Sequence, residues 1–462
     1  DMKHFYPLCA AERLQDHKIL EYNRPQEVNI CVCMTIRAGV DFGLLKHCIQ
    51  LEYARQESLR IRFTKRDENG KVFQYFASYD PRDIRLVDFR GKSQEEINAT
   101  LEEWSSQPFE QVDSPMNEFI MVAMPDGYNG IYLRIDHRLT DSTGMILMIN
   151  DIMGLYCHFA YGAPMPEDPP PYHLALEKDL AKEENASRTA KDRAFWEEQV
   201  AVGEPIYTDV TGCWKLDACR KKYNNPNLRA ADREMNDLRV GRAIYHLEPE
   251  PTKRLMDYCM ENEVSMTNLL LMGLRTYLSK MNDGEKDVTV RNYVSRRSTL
   301  LNKTSGGTRT HCFPCRTILE PETEFLDGVR MIQDLQNTIY RHVDFDPLEV
   351  TRMFQERYHP PKNTTYDSVA LTYQPLPMRL QNEQLHGIPF KSDWLTNGTA
   401  IQKVYLTVMH SATDLGLQFY FKYQLAELSP HDMELMYYYL MKILFMGVEN
   451  PDMTVGEILR TV

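Results

Sequence analysis

The chain has 462 residues, too many for one ordinary hydrophobic core and enough for two lobes of roughly 200 residues each. With 43% hydrophobic and 26% charged residues, and aromatics spread along its length, it has the make-up of a soluble globular protein without a long disordered tail. A net charge of -13 argues against a nucleic-acid partner, which would need clustered Lys and Arg beyond those between Arg291 and Arg297. The lack of any run of about 18 apolar residues, or of a basic-then-apolar start, argues against a membrane partner and points to the cytoplasm.

In chain order, Asp41 can cap a helix whose apolar positions Leu44, Leu45, Cys48 and Ile49 recur at helical spacing and which ends near Ala54. Leu59, Ile61 and Phe63 then alternate with Arg60 and Arg62. Asn69-Gly70 supplies a turn before 72–76, so the two runs form a hairpin. Earlier, Cys31 and Cys33 lie two apart in a strand-like run and share a face.

Residues 131–137 alternate again, with Ile131, Leu133, Ile135 and His137 on one parity and Tyr132, Arg134 and Asp136 on the other. The period then changes to that of a helix through Met145, Met148, Ile149, Ile152, Met153 and Tyr156, with Asp141 or Ser142 at its N-cap. Five prolines between 162 and 171 and the charged stretch 177–193 read as a solvated connection between lobes.

The second half repeats the mixture: strands near 243–247 and 288–294, helices over 266–280 and 324–342, and strands near 368–374, 403–410 and 415–423. A last long helix opens at Ser429-Pro430. The ten cysteines read as reduced thiols. Cys312 and Cys315 have CxxC spacing without a second ligand pair, so no metal site is expected. The fold class is α/β (α+β), with lobes at 1–175 and 176–462.

His137 followed four residues later by Asp141 is the candidate chemistry. At a strand end an imidazole is held on a rigid element, and its free pKa of about 6.5 suits it to take a proton from a nucleophile near neutral pH. An Asp and a helix N-terminus just after it can fix the loop and offer amides to an oxyanion. Alone, the pair reads more readily as a hydrogen-bonded core histidine at a strand end and a simple helix cap.

The surrounding residues add a resemblance. His137-Arg138-Leu139-Thr140-Asp141 is similar to the HHxxxDG motif of condensation domains of nonribosomal peptide synthetases, relatives of chloramphenicol acetyltransferase. Tyr6-Pro7-Leu8-Cys9-Ala10-Ala11-Glu12-Arg13-Leu14 resembles the family's opening YPLSxAQxRL, and Arg55-Gln56-Glu57-Ser58-Leu59-Arg60-Ile61-Arg62-Phe63 resembles RHExLRTxF. Phe195-Trp196 resembles an aromatic pair after the interlobe linker. The stretch 287–298 resembles a strand ending in Gly-Arg and places Arg297 at the family's Arg. Thr310-His311-Cys312-Phe313-Pro314-Cys315-Arg316 resembles VNTLPLR, with His311 for Asn. His342-Val343-Asp344-Phe345-Asp346-Pro347-Leu348-Glu349 resembles HQDxPFE, one residue longer. These segments keep the family's order and span essentially the whole chain.

The resemblance implies two chloramphenicol acetyltransferase-like lobes arranged as a V, with His137 midway along a central tunnel. It implies no tightly bound cofactor. The acyl donor would ride on the phosphopantetheine arm of an acyl or peptidyl carrier protein, or on CoA, and the acceptor would be a small amine or alcohol. His137, Asp141 and Ser142 are the expected catalytic residues, with Asp136, Arg55, Arg297, Trp196 and His311 in support. Arg297, ahead of Arg55, is expected to pair with Asp141. Arg55 and Arg60 are expected to be structural, and Trp196 a packing anchor between lobes. Two positions depart from the motif: its first His is Asp136, which should point away from the reacting atoms, and its Gly is Ser142, which adds a Cβ and a hydroxyl.

Three activities fit: amide formation from a carrier-bound acyl or aminoacyl group in nonribosomal peptide biosynthesis, acyl-CoA-dependent O- or N-acyl transfer, and a degenerate docking domain. No adenylation domain or carrier serine motif is present in these residues. Asp1 before Met2 reads as a tag remnant ahead of a native start, as expected for a free-standing or chain-initiating condensation domain.

Overall fold

Strands and helices alternate through both halves of the chain. In the computed structural model, which describes residues 3–78, 80–375 and 379–462, they assemble into two compact units. The chain forms the first unit up to Ala186 and returns to it twice, through Ser295–Thr310 and through the segment that ends at Thr399. The remainder, including Ser187–Val294 and Ala400–Val462, forms the second.

The main sheet of the first unit has the strand order Phe390–Leu395, Asn29–Arg37, Tyr128–Asp136, Asn117–Ala123, Leu86–Asp88. Its pairs are antiparallel except the last. The period-2 pattern decides the faces. Val32, Met34, Ile131, Leu133 and Ile135 pack under the helices Phe42–Arg55 and Ser142–Tyr161, while Cys31, Cys33 and Tyr132 meet the helix Gln94–Ser105 on the other side. Asp41 caps the helix Phe42–Arg55, its carboxylate accepting from the Leu44 amide. The expected hairpin is the antiparallel pair Ile61–Phe63 and Phe73–Phe76, extended by Tyr6–Pro7.

The stretch 177–193 does carry the chain from the first unit to the second, at Ala186–Ser187, and is mostly exposed, but it does so as two helices, Tyr172–Glu184 and Ala186–Ala201, and not as an irregular linker. Tyr172, Ala175, Leu176 and Asp179 recur at helical spacing on a buried face, so the charges that suggested a linker occupy mainly the outer face.

The second unit has a six-stranded sheet in the order Thr310–Ile318, Asp287–Ser295, Val369–Gln374, Val404–His410, Leu417–Gln424, Val240–Leu247. Val369–Gln374 pairs parallel with both of its neighbours, and the last two pairings are antiparallel. Val288, Val290, Leu371, Leu406 and Phe419 point to a core shared with the helices Met266–Met281, Phe325–Arg341 and Pro430–Glu449. Ser429 caps the last of these, with Pro430 in its first turn. Trp196 stacks on Phe313 in this unit, at 5.2 Å between ring centroids, and beside Phe195. Among the described residues no helix is long and apolar enough to cross a membrane.

Candidate active site

The strand Tyr128–Asp136 carries the chain to the edge of the first unit's core and ends one residue before His137. A tight turn follows: the His137 amide donates to the Val28 carbonyl at 2.8 Å, and the Leu139 amide to the Asp136 carbonyl at 2.9 Å. Leu139 is fully buried and anchors the turn. Asp141 then opens the helix Ser142–Tyr161, accepting the Gly144 amide on Oδ1 at 2.9 Å.

The His137 ring is partly exposed, with Nδ1 3.2 Å from Thr308 Oγ1. The packed protein around it, and then the charge of Lys18, push its pKa below the usual value. Asp141 and Asp136 oppose this without reversing it. The imidazole is therefore neutral at neutral pH, the form that can accept a proton.

Asp141 has no oxygen to spare. Oδ1 also accepts Arg297 Nη2 at 2.8 Å, and Oδ2 accepts the Arg309 amide at 3.0 Å. Burial raises the Asp141 pKa, but the charge and hydrogen bond of Arg297, with the Gly144 amide, outweigh it and hold the carboxyl below its ordinary value. Arg297 is equally committed, donating to the carbonyls of Asn302, Ser305 and Gly307. Arg309 reaches past Asp141 to grip Asp179 with both Nη atoms, at 2.8 and 3.0 Å. The return segment Ser295–Thr310 is thus clamped to the motif turn through Asp141.

Asp136 faces away from this clamp and accepts three bonds from Arg138: from its backbone amide, Nε and Nη2. Arg138, 1% exposed, also donates to Asp16 and Gln111 and lies 4.0 Å over the Phe63 ring. Arg66 closes the network on Asp16.

The structure therefore brings His137, Asp136, Asp141, Ser142 and Arg297 together. Arg55 lies elsewhere in the first unit, bound to Asp151 and Asp168, and Arg60 donates to backbone carbonyls. Trp196 and His311 belong to the second unit, where His311 is fully buried with Nδ1 2.7 Å from the Val343 carbonyl. The Arg291 to Arg297 cluster is neutralised, as Arg291, Arg296 and Arg297 pair with Asp367, Asp179 and Asp141.

A family model described as Condensation domain matches residues 2–461. The chain belongs to the condensation-domain family. Surfactin synthase subunit 1 of Bacillus subtilis (strain 168) is 23% identical over 465 residues, 98% of this chain but only 12% of that relative's length. The first condensation domain of the calcium-dependent antibiotic synthetase, solved with a substrate analogue, shares the fold at a TM-score of 0.79 and 18% identity, covering 99% of this chain and 98% of that one. A variant of the starter condensation domain of rhizomide synthetase, in complex with C8-CoA, does so at 0.80 and 16%, covering 98% and 96%.

Within this condensation domain the two motif departures have physical accommodations. Asp136 is matched by the adjacent Arg138. Ser142 is the first helical residue and lies outside the positive-φ region, so its Cβ meets no backbone conflict. The close approach that demands glycine falls two residues later: a Cβ on Gly144 would lie 1.9 Å from Thr140 Oγ1.

Sequence reasoning missed Thr308 and Arg309. The Gly306-Gly307 pair just before them was the available signal. Gly307 has φ +90°, and a Cβ there would lie 2.1 Å from the Tyr172 ring. The expectation that amides after Asp141 serve an oxyanion also narrows, because those of Gly144 and Met145 already donate to Asp141.

Proposed function

We propose that this condensation domain transfers an acyl or aminoacyl group from a phosphopantetheine thioester on a carrier protein to an amine, forming an amide in nonribosomal peptide biosynthesis. The observation that carries the reading is the neutral, partly exposed His137 held at a rigid strand end beside the buried Asp141–Arg297 ion pair. In the tautomer this reading requires, Nδ1–H donates to Thr308 Oγ1, 3.2 Å away, and the Nε2 lone pair is left to the acceptor. The amine nitrogen attacks the thioester carbonyl, a C–N bond forms, and Nε2 takes the amine proton. Collapse then breaks the C–S bond, and the proton passes to the departing thiolate. Holding both reactants in contact supplies several kcal/mol of the acceleration, about 7–11 kcal/mol when they are well oriented.

The similarity to a starter condensation domain complexed with C8-CoA favours a second reading, in which soluble acyl-CoA is the donor and an amine or alcohol the acceptor. The degenerate docking reading is weakened by the accommodation of both Asp136 and Ser142. One experiment separates the three: acyl-CoA and acyl-carrier donors offered with a panel of amines and alcohols, following product mass for wild type and His137→Ala. Carrier-dependent amide product that disappears in the variant is expected. Turnover from CoA alone favours the second reading, equal turnover in His137→Ala sinks the base assignment, and no product with any donor leaves docking ahead.

A further inference from the structure

The helix Ala10–Tyr22 is fastened beside the turn that presents His137. Asp16 on that helix accepts Arg138 Nη1 at 2.9 Å, and Arg138 is the chain neighbour of His137. The short helix Pro25–Val28 that follows gives the Val28 carbonyl to the His137 amide at 2.8 Å. Lys18 stands in the chain between these two attachments.

The carboxylates of this region already hold cations: Asp141 pairs with Arg297, Asp136 with Arg138, and Asp16 with Arg138 and Arg66. Lys18 differs. It is half-buried, and no hydrogen bond or ion pair joins its ammonium to another of the described residues. Its charge nevertheless reaches the imidazole, where after burial it is the next cause that holds the His137 pKa down. A cation partly withdrawn from water without a counter-ion is unfavourable, and this one also weakens the neighbouring base. An anionic group brought in by a substrate would offset both effects at once.

The acceptor is the substrate placed to bring it. Its nitrogen is the atom that meets Nε2, so a carboxylate on the same small molecule enters the surroundings of the imidazole together with the amine. We propose that the acceptor is an amine that carries a carboxylate, and that Lys18 is the group that holds this carboxylate beside His137. The assignment rests on the reading of His137 as the base that meets the acceptor nitrogen.

The test is calorimetric titration of the full chain with two matched pairs of amines: L-alanine against L-alaninamide, and L-glutamic acid α-amide against L-glutaminamide. The carboxylate stands on the α-carbon in the first pair and on the side chain in the second, so the pairs separate a free amino acid from an acidic side chain as its source. In at least one pair the carboxylate-bearing member should bind about tenfold more tightly than its amide. Lys18→Met should bring the two members within about twofold of each other, whereas Lys18→Arg, which keeps the charge, should keep most of the preference. Lys18→Met should also raise the His137 pKa, followed by NMR with His137→Ala assigning the resonance. Absence of saturable binding by either carboxylate-bearing amine overturns the proposal. So does equal affinity within both pairs, a preference that survives Lys18→Met, or a His137 pKa that does not move in that variant. Because affinity is read without turnover, a Lys18-dependent preference in a chain that forms no product supports this assignment and counts against acyl transfer alone.

Discussion

Replacing Arg297 by Met tests whether the Asp141 clamp holds the motif turn. Arg297 supplies the cation for a buried carboxylate, and it satisfies three carbonyls of the return segment. Removing one partner of a buried ion pair costs about 3–5 kcal/mol, because the other charge is left stranded. Asp141→Asn should cost about as much, since it leaves Arg297 stranded instead. In the double variant no buried charge lacks its partner, so its loss should fall short of the sum of the single losses by about 1–3 kcal/mol. Urea unfolding gives the energies. Amide hydrogen exchange at Gly144 and Arg309, which both donate to Asp141, gives the local readout and should quicken in each single variant. The pair also has a pH signature. The Asp141 pKa is lower in the folded chain than its ordinary 3.8, so the stability it contributes is complete above 3.8 and is lost as pH falls through the folded value. Strict additivity of the two substitutions, or single losses below about 1 kcal/mol, would refute the clamp.

Gly144→Ala should cost about 1–3 kcal/mol by overpacking and lower turnover, and Thr140→Ala, by removing the Oγ1 that the new methyl meets, should recover part of both; thermal melts and product mass check this, and no recovery counts against the steric account. Glu12 is fully buried, and burial raises its pKa from 4.5 to about 7 against hydrogen bonds from Cys9 and Gln74. Because the folded chain binds this proton more tightly than the unfolded chain, wild type should lose about 3 kcal/mol between pH 4.5 and 7 at this site, whereas Glu12→Gln should not. The stability gap should thus be near zero at pH 4.5 and full at pH 8; a gap independent of pH sinks the assignment. Asp136→His, which restores the family's residue, should destabilise by about 3 kcal/mol because it takes from buried Arg138 the carboxylate that accepts from Nε and Nη2, and a neutral or stabilising outcome in urea melts contradicts that dependence.

The strand–turn–helix around His137 was legible because its signals are local: period 2 in the strand, period 3.6 in the helix, and an Asp at the junction. The groups that complete the site were not. Thr308 lies 171 residues from His137, and Arg309 lies 168 from Asp141, so no spacing rule connects them. The resemblance did identify Arg297, because it compares whole patterns and not neighbours. Strand Phe390–Leu395 escaped notice for the same reason: its partner is Asn29–Arg37, and its own residues are only partly buried at a sheet edge. The helical form of the connection 177–193 was hidden for a different reason. Composition averages over helix faces, and the buried face set by Tyr172, Ala175, Leu176 and Asp179 is too narrow to stand out among so many charges.

The hydrogen bonds of Asp141 bear on how the motif would work as chemistry. With three donors on its two oxygens and its pKa held below the ordinary value by Arg297, Asp141 is a poor proton acceptor. Its effect on the reaction is then geometric, and the proton affinity of His137 is set chiefly by the protein packed around it and by Lys18. The same reasoning explains how this chain tolerates two altered motif positions. Position 136 serves the turn from beneath, where any group that neutralises Arg138 suffices, and an aspartate does so with three bonds. Position 142 begins a helix, where a Cβ is harmless, while the need for glycine rests on residue 144. Neither change touches the bonds that hold His137, so under the proposed function activity rests on the retained imidazole and its Asp141–Arg297–Arg309 support.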